Sequence, residues 1–132
     1  MNDSTRLGFA PLFAVAIGVI VAQSTIVSLL QAAGTDIDLG NEAFPHLAFK
    51  EGRVAGIPAR VFRISFSGEL AYEVNVPWGY GAALWGALWD AGQSLGVTPY
   101  GTESMHVLRA EKGYIIVGQE TDGTVTPYDL GM

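Results

Sequence analysis

The segment from Arg60 to Val76 constrains the fold of this chain more than any other, because its apolar and polar residues alternate. The alternation predicts a half-buried strand that runs to Phe66 and a second strand from Tyr72 to Val76. Between the two strands lie three residues typical of a turn, Ser67, Gly68 and Glu69. The segment therefore predicts an antiparallel β-hairpin with one apolar face.

The register of this hairpin follows if the apolar rows of both strands share one face of the sheet. Ile64 then lies opposite Val74, and Arg63 lies diagonally across from Glu73 on the other face. A carboxylate on a rigid strand can accept two parallel hydrogen bonds from a ring N–H and a neighbouring exocyclic NH₂ group. Glu73 is therefore a candidate ligand-binding residue, and an exposed carboxylate paired with Arg63 is the equally weighted alternative.

The segments on either side of the hairpin predict two further strands and three helices. Apolar residues predict a buried strand from Phe13 to Val21, which joins the same sheet, and a helix from Ser24 to Ala33. Helices are also predicted from Tyr80 to Ser94 and from Thr102 to Lys112, and a short buried strand from Tyr114 to Val117. The predicted fold class is therefore α+β, with an antiparallel hairpin-based sheet covered by helices.

Several polar and aromatic residues in these segments are expected to have structural roles. Lys50 to Arg53 form a predicted polar turn ahead of the hairpin. Arg109 is expected to form a structural pair with Glu111 rather than to bind a ligand. Trp85 and Trp89 recur at a helical spacing of four, which favours a role in the core or in an interface over contact with a cofactor.

The run from Leu7 to Thr35 contains no charged residue and is long enough to suggest a membrane span. Pro11 and Gly18 interrupt it, and its positively charged flank is limited to Arg6. A signal peptide is a further alternative, but Asp3 lies in the region that should be positively charged. We therefore expect a buried strand and helix here rather than a membrane segment.

The charge balance argues against a nucleic-acid partner. The chain has 13 acidic and 7 basic residues and a net charge of −6, whereas binding to phosphates requires a cationic surface. There is no cysteine, which fits a cytoplasmic location and excludes disulfides and thiolate ligands. His46 and His106 lie far apart and have no neighbours at the spacing of metal ligands, so no metal site is expected.

Two long stretches resemble a known family. They are RVFRISFSGELAYEVNVP (residues 60–77) and TPYGTESMHVLRAEKGYIIVGQETDGTVTP (residues 98–127). Both resemble the folate-binding region of the aminomethyltransferase family, which is the glycine-cleavage T-protein-like family. Within that family they most resemble the C-terminal part of the alpha subunit of heterotetrameric sarcosine oxidase. The resemblance implies that residues 14–132 are part of a folate-binding domain in a larger subunit, and that residues 1–13 are an unassigned N-terminal leader.

The resemblance implies a function for the second hairpin strand. In the family, the glutamate of this strand binds the pterin ring of tetrahydrofolate, and Glu73 occupies that position. Tyr72 would help to wall the pterin pocket, and Arg63 would support Glu73. The implied reaction is transfer to tetrahydrofolate of the one-carbon unit released when the flavin-bearing beta subunit oxidises sarcosine. The product would be 5,10-methylenetetrahydrofolate.

The sequence also departs from the family pattern. T-proteins have an Arg-Asp pair where Met105 and His106 stand here. The family's catalytic aspartate and the flavin and NAD sites of the complete enzyme are expected to lie outside this chain, so the isolated chain is expected to be inactive. The alternatives are a stand-alone aminomethyltransferase and a non-catalytic interaction domain that docks through its apolar run and tryptophans. Self-association is expected.

Overall fold

A computed structural model describes residues 12–17 and 23–131, with side chains from Thr25 onward. A four-stranded antiparallel sheet has the strand order β1-β4-β3-β2. Its strands are β1 (Leu12–Ile17), β2 (Phe49–Val54), β3 (Ile57–Phe62) and β4 (Tyr72–Pro77). The helices are α1 (Gln23–Ala32), α2 (Gly81–Gly92) and α3 (Thr102–Glu111), with 3₁₀ turns at Trp78–Tyr80, Gln93–Leu95 and Pro127–Leu130. This is the expected α+β arrangement.

The N-terminal apolar run joins the sheet as predicted. β1 pairs with β4 along its whole length. Residues 18–21 of the predicted strand and residues 1–11 of the predicted leader lie outside the described residues. α1 ends before Gly34, which has a φ of 86° and donates its N–H to the carbonyl of Gln31 at 3.0 Å. Within residues 12–17 and 23–131, no helix has the length and apolar character needed to cross a membrane.

The register between β3 and β4 differs from the predicted one. Val61 lies opposite Val74, and Phe62 lies opposite Glu73. The predicted pairing of Ile64 with Val74 is wrong, because β3 ends at Phe62 and Ile64 lies in the irregular segment that follows. The polar-apolar alternation of the sequence thus continues beyond the end of the paired strand.

The buried row of β3 explains the observed register. Ile57, Ala59 and Val61 all face the core. Phe62 lies on the opposite face, where its ring packs 5.5 Å from the ring of Phe49 on the neighbouring strand. The prediction placed Phe62 in the core row, and therefore assigned the wrong face to the last residues of β3.

β2 replaces the polar turn that was predicted at Lys50 to Arg53. The turn lies immediately after this strand, at Ala55 and Gly56, which have φ values of 52° and 73°. A connecting loop holds the strand at its other edge, where the N–H of Arg53 donates to Oδ1 of Asp36 at 2.6 Å. The prediction was wrong because the polar side chains of an edge strand resemble those of a turn.

The core lies between one face of the sheet, α1, α2 and the loop that follows α1. α2 contributes Leu84 and Leu88 to this core, but Trp85 and Trp89 are 48% and 40% exposed. The two tryptophans are therefore not core residues. The largest fully buried side chains come from all of these elements, and they are Leu29, Leu30, Phe44, Val54, Val61, Tyr72, Val74, Val76 and Leu84.

The predicted strand from Tyr114 to Val117 is wrong. Residues 114–116 have no regular secondary structure, and Val117 forms only an isolated bridge with Thr121. Its backbone groups are satisfied by side chains instead, since Arg109 donates to the carbonyl of Tyr114 at 3.0 Å. The N–H of Ile116 donates to the carboxylate of Glu120 at 2.7 Å.

Arg109 has a different partner from the one predicted. Its Nη2 lies 2.6 Å from Oε1 of Glu120, and not beside Glu111. The residue is buried on the last turn of α3, as a structural role requires. The prediction of a structural role is therefore supported by the contacts, whereas the predicted partner is wrong.

Candidate functional site

Glu73 lies at the centre of the sheet, on the face that points away from the core. Its strand neighbours Tyr72 and Val74 are buried in the core, so the alternation of a strand places Glu73 on the opposite face. In the backbone register it lies between Phe62 of β3 and Ala16 of β1. We call this side of the sheet, which carries Phe62, Glu73 and Asn75, the outer face.

Asn75 orients the Glu73 carboxylate without using all of its hydrogen-bonding capacity. Nδ2 of Asn75 donates to Oε1 of Glu73 at 2.9 Å. Asn75 is only 7% exposed, so its amide is held in place by its surroundings. In the described part of the chain this is the one hydrogen bond to the Glu73 carboxylate. An ionised carboxylate has about four acceptor positions, so most of them are not used by this bond. Glu73 can therefore accept further hydrogen bonds from a ligand.

The outer face also offers an aromatic ring beside this carboxylate. Phe62 is opposite Glu73 in the register, and it packs against Phe49. A flat heterocycle with adjacent N–H donors could contact the ring and donate to the carboxylate.

Tyr72 lies on the core side of the sheet, so the structure does not bring it together with Glu73. It is 2% exposed, its ring centroid lies 5.6 Å from that of Phe44, and its hydroxyl donates to the carbonyl of Leu39 at 3.4 Å. Burial raises the pKa of Tyr72, and the charge of Arg63 offsets part of this rise. Its contacts are those of a core residue, and its role in a pterin pocket stays a prediction.

Arg63 also lies on the core side and does not contact Glu73. Its Nη1 donates to the carbonyl of Phe44 at 2.5 Å, and its backbone N–H donates to the carbonyl of Ala48 at 2.9 Å. The predicted diagonal pair with Glu73 is wrong because it depended on the register in which Ile64 faces Val74. A contribution of Arg63 to folate binding stays a prediction.

A pocket of about 750 Å³ lies on this side of the sheet. It is formed by α1, the loop at residues 39–46 and the segment at residues 63–71. Arg63 lines the pocket, whereas Tyr72 and Glu73 are absent from its described lining. Sequence reasoning missed this pocket because its walls come from segments that are distant in sequence and show no shared motif.

α3 packs against the segment at residues 63–71 from another direction. The ring of His106 lies 6.4 Å from that of Phe66, and Nζ of Lys112 lies 3.6 Å from the carboxylate of Glu69. These contacts fix the position of α3 relative to the segment between β3 and β4. Throughout residues 12–17 and 23–131, no three His, Asp or Glu side chains are grouped so that they could hold a metal ion.

Comparison with known proteins identifies the family of this chain. Residues 25–132 match the model of the GCVT N-terminal domain. The chain belongs to the GCVT N-terminal domain family. This match begins within α1 and continues to the C-terminal turns, and it confirms the family resemblance that the sequence motifs indicate.

Sarcosine oxidase alpha subunits are among the similar proteins of this family. The chain is 58% identical over 99 residues to sarcosine oxidase subunit alpha from Corynebacterium sp. strain P-1. The aligned region covers 74% of this chain and 10% of that protein. The chain is also 50% identical over 98 residues to the alpha subunit from Rhizobium meliloti, and this aligned region covers 73% of the chain and 10% of that protein. The chain therefore spans about a tenth of the length of these relatives.

Aminomethyltransferases are more distant relatives. The chain is 36% identical over 101 residues to the aminomethyltransferase of Streptomyces coelicolor, and the aligned region covers 76% of this chain and 27% of that protein. The identity is thus higher to the sarcosine oxidase alpha subunits than to this aminomethyltransferase.

Proposed function

We propose that this chain is part of a tetrahydrofolate-binding domain of a sarcosine oxidase alpha subunit, with Glu73 as the pterin ligand. The observation that carries the proposal is the partly buried carboxylate on the outer face, which Asn75 orients and leaves able to accept more hydrogen bonds. The identity of 58% and 50% to two sarcosine oxidase alpha subunits supports the choice of branch within the family.

The role proposed for this chain is to bind and orient tetrahydrofolate, which accepts the one-carbon unit from sarcosine oxidation. The carboxylate of Glu73 accepts two hydrogen bonds from neighbouring nitrogen donors of the pterin, and Phe62 contacts the ring. The product is 5,10-methylenetetrahydrofolate, and a flavin-bearing beta subunit is the proposed partner. The catalytic aspartate of the family is proposed to lie outside this chain.

Calorimetric titration with 5-formyltetrahydrofolate, a stable reduced folate, tests the role of Glu73. The Glu73→Gln variant keeps the size of the side chain but loses the charged acceptor. Its loss should cost about 2 kcal/mol, or roughly thirtyfold in affinity. Glu42→Gln is the matched control, because Glu42 is an exposed acid in the loop that follows α1.

Circular dichroism must first show that all three proteins are folded. We expect Glu42→Gln to bind the folate like the wild type and Glu73→Gln to bind it much more weakly. Equal binding by all three proteins would contradict the assignment of Glu73. A folded wild type that does not bind the folate would contradict the proposal for the chain as it stands.

A second candidate function is that of an interaction domain, and the exposed tryptophans of α2 favour it. Trp85 and Trp89 lie one turn apart on the same side of the helix, and both are more than a third exposed. Tryptophan is enriched at the centres of protein interfaces because it buries a large apolar area. Binding to a partner protein without any affinity for folate would favour this candidate over the first.

A further inference from the structure

Arg63 is a partly buried cation that has no acidic partner among the described residues. Its Nη1 donates to the carbonyl of Phe44, and its Nε is buried without a hydrogen-bond partner in the same part of the chain. Across the part of the chain that the structure describes, Arg63 forms no ion pair with a carboxylate. Guanidinium N–H groups that lose water without gaining an acceptor destabilise the fold. An anion in contact with this side chain would offset the cost of burying its charge.

The pocket that Arg63 lines has the size and the walls of a small-molecule site. Its volume of about 750 Å³ falls within the range of such sites. Arg63 provides a charged group at one wall of the pocket. The remaining lining combines apolar and polar side chains, among them Val27, Leu39, Leu70, Asn41 and His46.

The charges around the pocket restrict the kind of anion. Glu69 also lines the pocket, although Lys112 lies 3.6 Å from its carboxylate and offsets part of its charge. The whole chain carries a net charge of −6. Both facts disfavour a dianion such as phosphate and leave a monoanion as the better fit.

We propose that this pocket binds a small monocarboxylate with an apolar body. The planar guanidinium of Arg63 matches a carboxylate, because two parallel N–H groups can donate to its two oxygens. The apolar body would contact Leu39 and Leu70. The carboxylate would accept hydrogen bonds from the N–H groups of Arg63 that face the pocket.

This site is distinct from the outer face that carries Glu73. Arg63 and the pocket lie on the core side of the sheet, and Glu73 is absent from the described lining. The proposal therefore does not depend on folate binding. A Glu73→Gln substitution should leave carboxylate binding unchanged, so the failure of one proposal is distinguishable from the failure of the other.

Titration of the ¹⁵N-labelled chain with benzoate, followed by NMR chemical shifts, tests the proposal. Benzamide is the matched probe because it has nearly the same shape but no charge. We expect saturable benzoate binding that is at least about tenfold tighter than benzamide binding, since only benzoate has a charge opposite to that of Arg63 and two oxygens that can accept parallel hydrogen bonds. The shifted backbone signals should come from residues 39–46 and 63–71.

Two arginine variants separate the pocket from a general effect of positive charge. Arg63→Gln should weaken benzoate binding at least about tenfold. Arg53→Gln is the matched control, because Arg53 also donates to a backbone carbonyl, that of Gly56 at 2.7 Å, but lies exposed on β2. We expect Arg53→Gln to bind benzoate like the wild type.

Four results would overturn the proposal. They are the absence of saturable benzoate binding, equal binding of benzoate and benzamide, equal weakening by the two arginine substitutions, and tighter binding of inorganic phosphate than of benzoate. If Arg63→Gln fails to fold, the comparison of benzoate with benzamide on the wild type decides the question. Arg63→Lys then tests the planar guanidinium, and it should bind benzoate more weakly than the wild type.

Discussion

At the scale of single residues, Arg109 and Glu120 show how side chains can take over the role of a sheet partner. Arg109 is buried at the end of α3, and it donates both to the carbonyl of Tyr114 and to Glu120. The other oxygen of Glu120 accepts the N–H of Ile116. The sequence indicated a structural arginine here. The distant partner could not be predicted, because it depends on how the chain folds back after α3.

Glu120 should make the stability of this chain depend on acidic pH. The hydrogen bond from Arg109 holds the pKa of Glu120 below its ordinary value of 4.5. The unfolded chain therefore binds a proton at this carboxyl more readily than the folded chain does. The resulting stabilisation is present above the unfolded pKa and is lost as the pH falls through the folded pKa.

Thermal unfolding of the wild type and Glu120→Gln at pH 7 and pH 3 measures this dependence. We expect the wild type to have the higher melting temperature at pH 7, and the difference to shrink at pH 3. Glu42→Gln, which changes an exposed loop acid, serves as the control. A difference between wild type and Glu120→Gln that stays constant with pH would contradict the role of the ionised carboxylate.

At the scale of secondary-structure elements, the sequence predicted most helices and strands but not how the strands pair. Apolar periodicity was sufficient for α1 and β4, since each has one clear buried stripe or row. It failed at β3, where the row of Ile57, Ala59 and Val61 determines the register and Phe62 packs on the other face. It also failed at β2, whose polar residues lie on an edge strand.

The close approach of the loop after α1 to β2 leads to a prediction for Gly52. A Cβ atom at this position would lie 2.5 Å from Oδ1 of Asp36 and 2.6 Å from Cγ1 of Ile37. Asp36 cannot easily move away, because it accepts the hydrogen bond from the N–H of Arg53. Gly52→Ala should therefore lower the free energy of unfolding by about 2 kcal/mol.

Gly86 provides the control for this substitution. It lies within α2, and a Cβ atom there would meet nothing within 4 Å. Gly86→Ala should raise the free energy of unfolding by about 0.5–1 kcal/mol because alanine has the higher helix propensity. Urea unfolding followed by circular dichroism measures both variants. Equal changes in the free energy of unfolding of the two variants would show that the crowding at Gly52 has no effect on stability.

At the scale of the whole molecule, the candidate residues are divided between the two sides of one sheet. Glu73 could be predicted as a candidate because the alternation of β4 alone places it opposite the core row. The same alternation separates Tyr72 from Glu73, whereas the separation of Arg63 from Glu73 could not be predicted from the wrong register. The pocket beside Arg63 could not be predicted either, because three segments that are distant in sequence form its walls.

The exposed tryptophans of α2 predict self-association of the chain. Trp85 and Trp89 are 48% and 40% exposed, and Asp90 is the only charged residue of this helix. Aromatic side chains of this size bury a large apolar area in an interface, and this burial favours association. Each chain has a net charge of −6, so two chains repel one another, but salt screens this repulsion. Sedimentation velocity at several protein concentrations should therefore show an associating species that salt strengthens.

Substitution of both tryptophans tests whether α2 forms the contact. The double variant Trp85→Gln and Trp89→Gln should remain monomeric at concentrations where the wild type associates, because the apolar area of the contact is lost. Tyr128→Gln removes another exposed aromatic side chain, 89% exposed in the C-terminal turn, and should associate like the wild type. A wild type that stays a monodisperse monomer would rule out self-association. Equal association of the double variant and the wild type would instead place the contact away from α2.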